Sequence, residues 1–353
     1  MKRAVTITEI AQESGVSIAT VSRVLNENPR VAPDTRKRIE EVINKYGYSP
    51  SNLARGMVNK KTMTIGVIVP DISNPYFAAM FNEIEHSAHA AGYSVFLCNT
   101  MFTLKGEHQQ EYEYFRMMLD KKVDGVLIIG GQVDLEEVSL EYVSQLQHMS
   151  SLMPVVVIGS KIENADDCIF IQKENGSGVS TAVSYLAAMG HKRIAFVGGE
   201  PGVTITESRL KSYKSASAAL SIDQDNDLVS LSNYYAKDGY SAIMNLFDKK
   251  TSFTAVLAIN DAVAKGAIRA ICDGGLSVPD DIALISCDQF IDAEFNTPSL
   301  TSIDQKNELF GRIVIHSLLC AIKGVGEAAV LNFTPELIVR ESSGKPINTD
   351  DFD

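Results

Sequence analysis

The sequence predicts an α/β protein: an N-terminal three-helix helix-turn-helix head and a hinge helix, then a two-lobed core of doubly wound parallel sheets. Three observations predict it. Residues 6–26 read as helix, tight turn, helix. From Thr64 onward, apolar strands alternate with amphipathic segments in two successive series, the pattern of parallel sheets covered on both faces. The charge is divided as well. Residues 1–61 hold eleven Lys and Arg against six Asp and Glu, a net of +5; the remainder holds 21 against 38, a net of −17. A basic head can engage phosphates, whereas an acidic body is repelled by them.

In the head, Thr6 and Glu9 have capping-box spacing, so a helix starts there and runs through Gln12. Ser14-Gly15 ends it, because Gly accepts the positive φ of a sharp turn. Ser17 caps a second helix with Val16, Val21, Val24 and Leu25 on its inner face. Its outer face carries Ser17, Ile18, Thr20, Ser22, Arg23 and Asn26, short polar groups with one long cation. That profile suits a helix entering a DNA major groove. Pro33-Asp34 opens a third helix, with Ile39, Val42, Ile43 and Tyr46 on one face and Gly47 as its cap. The head is predicted to span 1–49, and residues 50–61 to form a hinge. There Ser51-Asn52 can cap a helix of about eight residues, too short to persist alone in water.

The core is predicted over 62–341. Its first series of strands is TIGVIV, YSVFLCN, DGVLIIG and PVVVIG, with helices at 75–91, 107–121 and 134–149. A second series, RIAFVGG, TAVLAI and DIALIS, comes with helices at 176–189, 207–219, 238–247 and 261–274. The first lobe is placed at about 62–162 plus 305–322, the second at about 163–304 plus 323–341, and a disordered acidic tail at 342–353. Sheets of this kind bind ligands at the carboxyl ends of their strands. Those ends carry Asp71-Ile72-Ser73-Asn74-Pro75, Gly198-Gly199-Glu200, Asn260-Asp261 and Cys287-Asp288.

Composition excludes several classes. The 353 residues suffice for two or three domains with cores of their own. No apolar run approaches a membrane span of about 18 residues, and the N-terminus lacks an apolar segment with a cleavage site, so a cytoplasmic protein is expected. Cys98, Cys168, Cys272, Cys287 and Cys320 form no C-x-x-C pair and read as reduced core residues. Glu83-x-x-His86 lacks the partners of a di-iron site, and Ser208-x-x-Lys211 lacks the companions of a serine acyl-transfer site. There is no Walker loop, and Gly198-Gly199 is too short for a dinucleotide fingerprint. No enzyme, cofactor or metal is expected.

Seven stretches in order resemble the LacI/GalR family of bacterial transcription regulators: TITEIAQESGVSIATVSRVLN, YSPSNLARGM, DISNPYF, GHKRIAFVGG, ESRLKSY, AINDAVAKGAIRA and VPDDIALISCD. The resemblance covers nearly the whole chain. It implies a homodimeric repressor with a periplasmic-binding-protein-like core, its heads in the major grooves of a palindromic double-stranded operator and its hinge helices in the minor groove. Thr6 and Ser17 fall within the matched head. Ile18 and Ala19 occupy the positions at which the family varies to choose sequence, and Thr20, Ser22, Arg23 and Asn26 match its base and phosphate contacts. In the hinge, Asn52, Ala54 and Arg55 match, and Met57 stands where the family has a wedging Leu.

In the core, Arg209 corresponds to the family Arg that forks onto a ligand. Asn260 and Asp288 match groups that bond ligand hydroxyls, and Asp71, Asn74 and Phe77 lie on the other wall. Ser286-Cys287-Asp288, Glu174-Asn175 and Ser160-Lys161 depart from the family pattern. The implied function is repression of a carbohydrate-utilisation operon, controlled allosterically by a sugar or sugar phosphate. The alternative is a catabolite-type regulator answering to a phosphorylated carrier protein.

Overall fold

The structure is a computed structural model that describes residues 5–25, 29–48, 61–102, 109–289, 292–325 and 334–344. Two compact units emerge, residues 1–63 and 64–353. Each has its own core.

The first unit is three helices: α1 (Ile7–Glu13), α2 (Ile18–Leu25) and α3 (Pro33–Tyr46). Thr6 and Glu9 form the capping box, with Thr6 N–H donating to Glu9 Oε2 at 2.7 Å and Glu9 N–H to Thr6 Oγ1 at 3.4 Å. The α1–α2 turn passes through Gly15 at φ 64°, a conformation that costs a side chain about 1–2 kcal/mol. Ile10, Ala11, Val21, Val24 and Ile39 fill the interior, as their spacing predicts. Lys45 pairs with Glu13 at 2.6 Å across α3 and α1, an exposed contact of small worth.

The second unit has two parallel sheets. The first contains β1 (Thr64–Val69), β2 (Ser94–Asn99), β3 (Gly125–Ile129), β4 (Val155–Ile158) and β5 (Ile169–Ile171), in the order β2-β1-β3-β4-β5. Alternate residues feed opposite faces: Val126, Ile128, Val155 and Val157 enter one apolar cluster, and Leu127, Ile129, Val156 and Ile158 the other. Helices α4 (Pro75–Ala90), α5 (Gln109–Lys121) and α6 (Leu140–Ser150) cover this sheet.

The second sheet runs β11-β10-β9-β8-β6-β7. Its strands are β6 (Ile194–Val197), β7 (Val229–Ser230), β8 (Ala255–Ala258), β9 (Ala283–Ser286), β10 (Thr301–Asp304) and β11 (Glu336–Ile338). All pairings are parallel except β10 with β11. Its helices are α7 (Ser177–Ala188), α8 (Thr204–Ala219), α9 (Ala236–Asp248) and α10 (Asp261–Asp273). The chain then returns to the first lobe as α11 (Asn307–Lys323), which packs on α4, β3 and β4. It crosses once more to supply β11.

Four expectations change. The helix predicted from Asp134 begins only at Leu140, where Ser139 caps it by accepting from Tyr142 N–H at 3.2 Å. Gly130 and Gly131, at φ 77° and 89°, lead instead into one 3₁₀ turn, Gly131–Asp134. The first lobe does not end near 162, because β5 pairs with β4. Residue 342 is not the start of a free tail: Ser342 and Ser343 are buried, with Ser342 Oγ donating to Leu284 C=O at 2.7 Å and accepting from Thr301 N–H at 2.9 Å. Finally, Cys272 is exposed and Cys320 half-buried, so only Cys98, Cys168 and Cys287 are core residues.

Candidate functional site

On the head, the start of α2 is prepared by its cap. Ser17 Oγ accepts from Thr20 N–H at 3.2 Å and lies 2.9 Å from Thr20 Oγ1, so these hydroxyls hold the first turn. Ser17, Ile18, Ala19 and Arg23 are exposed, and Thr20 and Ser22 are half-buried. Ile18 is 47% exposed, although Val21 and Val24, on the same helix, are buried. An isoleucine left in water at the tip of such a helix is suited to a thymine methyl, and Arg23 to a guanine edge or phosphate. Asn26 and the hinge positions Asn52, Ala54, Arg55 and Met57 lie outside the described residues.

In the second unit a cavity of about 300 Å³ opens between the lobes at the carboxyl ends of both sheets. Asp71, Asn74, Phe77, Arg209, Asn260 and Asp288 all line it, so topology brings together six residues spread over more than 200 positions. Asn74 caps α4 by accepting from Tyr76 N–H at 3.0 Å, which aims Tyr76 and Phe77 at the cavity. Those rings meet edge to face, 5.1 Å apart at 76°. Gly130 passes close to Phe77, and a Cβ there would stand 3.0 Å from the ring.

Arg209 is 3% exposed and Asp288 7%. The guanidinium fork is closed on the Asp288 carboxylate, Nη1 donating to Oδ2 at 2.8 Å and Nη2 to Oδ1 at 2.7 Å. Nη1 also donates to the Ile259 carbonyl, and Nε has no partner among the described residues. Here the fork that the resemblance aims at a ligand is held by the chain's own carboxylate, at the wall of the cavity. Burial alone would lower the Arg209 pKa, but the Asp288 charge reverses this and the net shift is upward.

Asn260 has two tasks, capping α10 through Val263 N–H at 2.8 Å and donating to Tyr234 C=O at 3.0 Å. Asp71 reaches across the cleft and accepts from Tyr235 O–H at 2.5 Å. Burial opposes its charge, yet hydrogen bonds from Tyr235 and Ser73 bring its pKa below the ordinary value. A second bridge joins the lobes near the cavity, where Glu136 N–H donates to Gly202 C=O at 3.2 Å and Leu135 pairs with Val203.

Sequence reasoning missed Tyr76, Asp134, Lys173, Tyr234 and Tyr235, which also line the cavity. Burial, reinforced by the charge of Glu111, pushes the Asp134 carboxyl up to about 7. Lys173 is depressed to about 8 by burial, with Nζ donating to Asn307 Oδ1. The polar aromatic run Asn233-Tyr234-Tyr235 after an apolar segment was the one available signal for Tyr234 and Tyr235. Among the described residues, no group of three His, Cys, Asp or Glu could hold a metal ion, and no helix is long and apolar enough to cross a membrane.

Residues 6–51 match the model of bacterial regulatory proteins, lacI family, and residues 183–343 a periplasmic binding protein-like domain. The chain is 33% identical over 338 residues to the HTH-type transcriptional repressor PurR of Pasteurella multocida (strain Pm70), covering 96% of this chain and 98% of that one. It belongs to the lacI family. As a lacI-family protein it is a DNA-binding transcriptional repressor, not an enzyme. The lac repressor dimer bound to operator and the anti-inducer ONPF shares its fold, with a TM-score of 0.84 at 23% identity over 97% of this chain and all of that one. A lacI-family regulator from Enterococcus faecium with bound ribose has a TM-score of 0.67 at 26% identity, covering 80% of this chain and 98% of that one.

Proposed function

We propose that this cytoplasmic lacI-family repressor binds a palindromic operator as a homodimer and that a sugar-class molecule in the interlobe cavity controls its grip. The domain plan behind it is a head at 1–49, a hinge at 50–61 and a core thereafter. Ser17, Ile18, Ala19, Thr20, Ser22, Arg23 and Asn26 read the major groove, with Thr6 holding the start of α1; Asn52, Ala54, Arg55 and Met57 enter the minor groove. In the core, Asp71, Asn74, Phe77, Arg209, Asn260 and Asp288 form the effector site. One observation carries the reading: a cavity at the low end of the small-molecule size range, at the switch between two parallel sheets, walled by aromatic rings and buried hydrogen-bonding groups. Ribose bound to the Enterococcus faecium relative supports the sugar class. A sugar that closes the lobes would shift the operator equilibrium by a coupling of about 1–3 kcal/mol. The regulated genes are then those of carbohydrate use.

The test is a thermal-shift screen of sugars and sugar phosphates, followed by operator binding with each hit. A saturable hit that changes operator affinity supports the proposal. Operator affinity unmoved by every sugar, but shifted by a phosphorylated carrier protein, would overturn it.

A further inference from the structure

The charges lining the cavity are not balanced. Four carboxylates face it, Asp71, Asp134, Glu200 and Asp288, against two cations, Lys173 and Arg209, a formal excess of two negative charges. We infer that the effector carries a protonated amine, an amino sugar in place of a neutral sugar or a sugar phosphate, and that Asp134 selects it; this rests on the sugar reading above.

An anionic ligand would need a free cation, and neither is free. The end-on Arg209 fork is closed on Asp288, so its charge is already matched by a carboxylate; its Nε–H and second Nη2–H, without partners among the described residues, offer hydroxyl oxygens a donor edge but no unmatched charge for a phosphate. Lys173 donates to Asn307 Oδ1 and sits 5.4 Å from the centre of the Phe310 ring. Its depressed pKa, about 8, makes it a weak anchor for an anion. Asp71 is also engaged, by Ser73 and Tyr235.

Asp134 is different. It is half-buried in the cavity wall and accepts no hydrogen bond from the described residues. Behind it stands Glu111 of α5, 2% exposed, whose carboxylate accepts from Tyr142 O–H at 2.7 Å and Gln132 Nε2 at 3.2 Å. Tyr142 of α6, Tyr76 of α4 and Tyr234 of the opposite lobe each feel the Asp134 charge, and none of them is a cation. Two acids thus press on each other in a poorly solvated place, which is why the Asp134 carboxyl is pushed up to about 7. A phosphate would add a third negative charge. An amine would neutralise one, and the rings of Tyr76, Phe77, Tyr234 and Tyr235 would favour both a sugar face and a cation.

The experiment is isothermal titration of the intact protein with matched triples: glucose, glucosamine and glucose 6-phosphate, and the corresponding galactose and mannose sets. In the triple that binds, the amine should bind about tenfold or more tightly than its neutral parent, and the phosphate ester should be the weakest. Amine affinity should rise with pH up to about 7 as Asp134 ionises. Asp134→Asn, which mimics the protonated acid, should collapse the amine-to-neutral ratio to about one and remove the pH slope; Asp134→Ser gives the same readout if the first variant folds poorly. A phosphate ester as the tightest ligand, or an amine preference that survives both substitutions, overturns the inference. A neutral sugar that binds as well as its amine overturns it alone, whereas no binding by any member at millimolar concentration overturns the sugar reading as well.

Discussion

Arg209 shows how one side chain ties the pocket to the fold. Because its fork holds Asp288 in a site where both are almost fully buried, Arg209→Ala strands a carboxylate away from water. Removing one partner of such a pair costs about 3–5 kcal/mol. The substitution should therefore lower the thermal midpoint of the core as well as abolish the effector response; calorimetry that finds the core unchanged would contradict the pairing. Asp134 gives a pH prediction of the opposite sign to an ordinary ion pair. Its carboxyl rises from 3.8 to about 7 on folding, so between those values the folded state holds more protons and stability falls as pH rises. Asp134→Asn should remove its share of that slope in denaturation curves measured from about pH 4 to 7. Arg23 is exposed and has no packing task, so Arg23→Ala should weaken operator binding by about 1–3 kcal/mol while leaving the melting of the head unchanged.

The elements of the head were legible almost residue by residue, because a capping box, a glycine turn and helical periodicity are all local signals. They also set the cost of damage. Gly15→Val places a β-branched side chain at φ 64° and should destabilise the head by about 1–2 kcal/mol or more, measurable by its urea transition. In the core, β1–β4, β6, β8 and β9 were legible because each is an uninterrupted apolar run. The strands β5, β7, β10 and β11 were not: they span two to four residues, and Val229-Ser230 or Thr301–Asp304 is too polar to stand out. The Asp134 segment misled for a different reason. Its helical spacing is real from Leu140 onward, but two successive positive-φ glycines route the chain toward the other lobe first. Of the six expected pocket residues, Asp71, Asn74, Asn260 and Asp288 sit just after apolar strands, which sequence shows, whereas Arg209 and Phe77 lie within helices and were placed by the family resemblance. Asp134 closes the 3₁₀ turn after β3, inside the segment read as helix, and Lys173 follows the short β5, so neither was marked.

For the whole molecule, the division of charge into a net +5 over residues 1–61 and −17 beyond is the feature with the widest reach. Only the small N-terminal part can neutralise phosphates, so operator binding should be steeply salt-dependent. Six to ten phosphate contacts across a dimer would cost about 10³–10⁵ in affinity between 50 and 200 mM salt, and a flat titration would contradict the assignment of the head. The bridges between the lobes carry a further consequence. Asp71 with Tyr235, and the 135–136 segment with 202–203, are groups of the protein itself, so the free energy of closure is divided between them and any ligand. The fraction of molecules already poised to bind then scales the apparent affinity directly. Tyr235→Phe should accordingly move the midpoint of the dose–response curve to higher ligand while keeping the aromatic ring on the cavity wall. Loosening or tightening that single phenol is thus a way to retune the sensitivity of the gene switch.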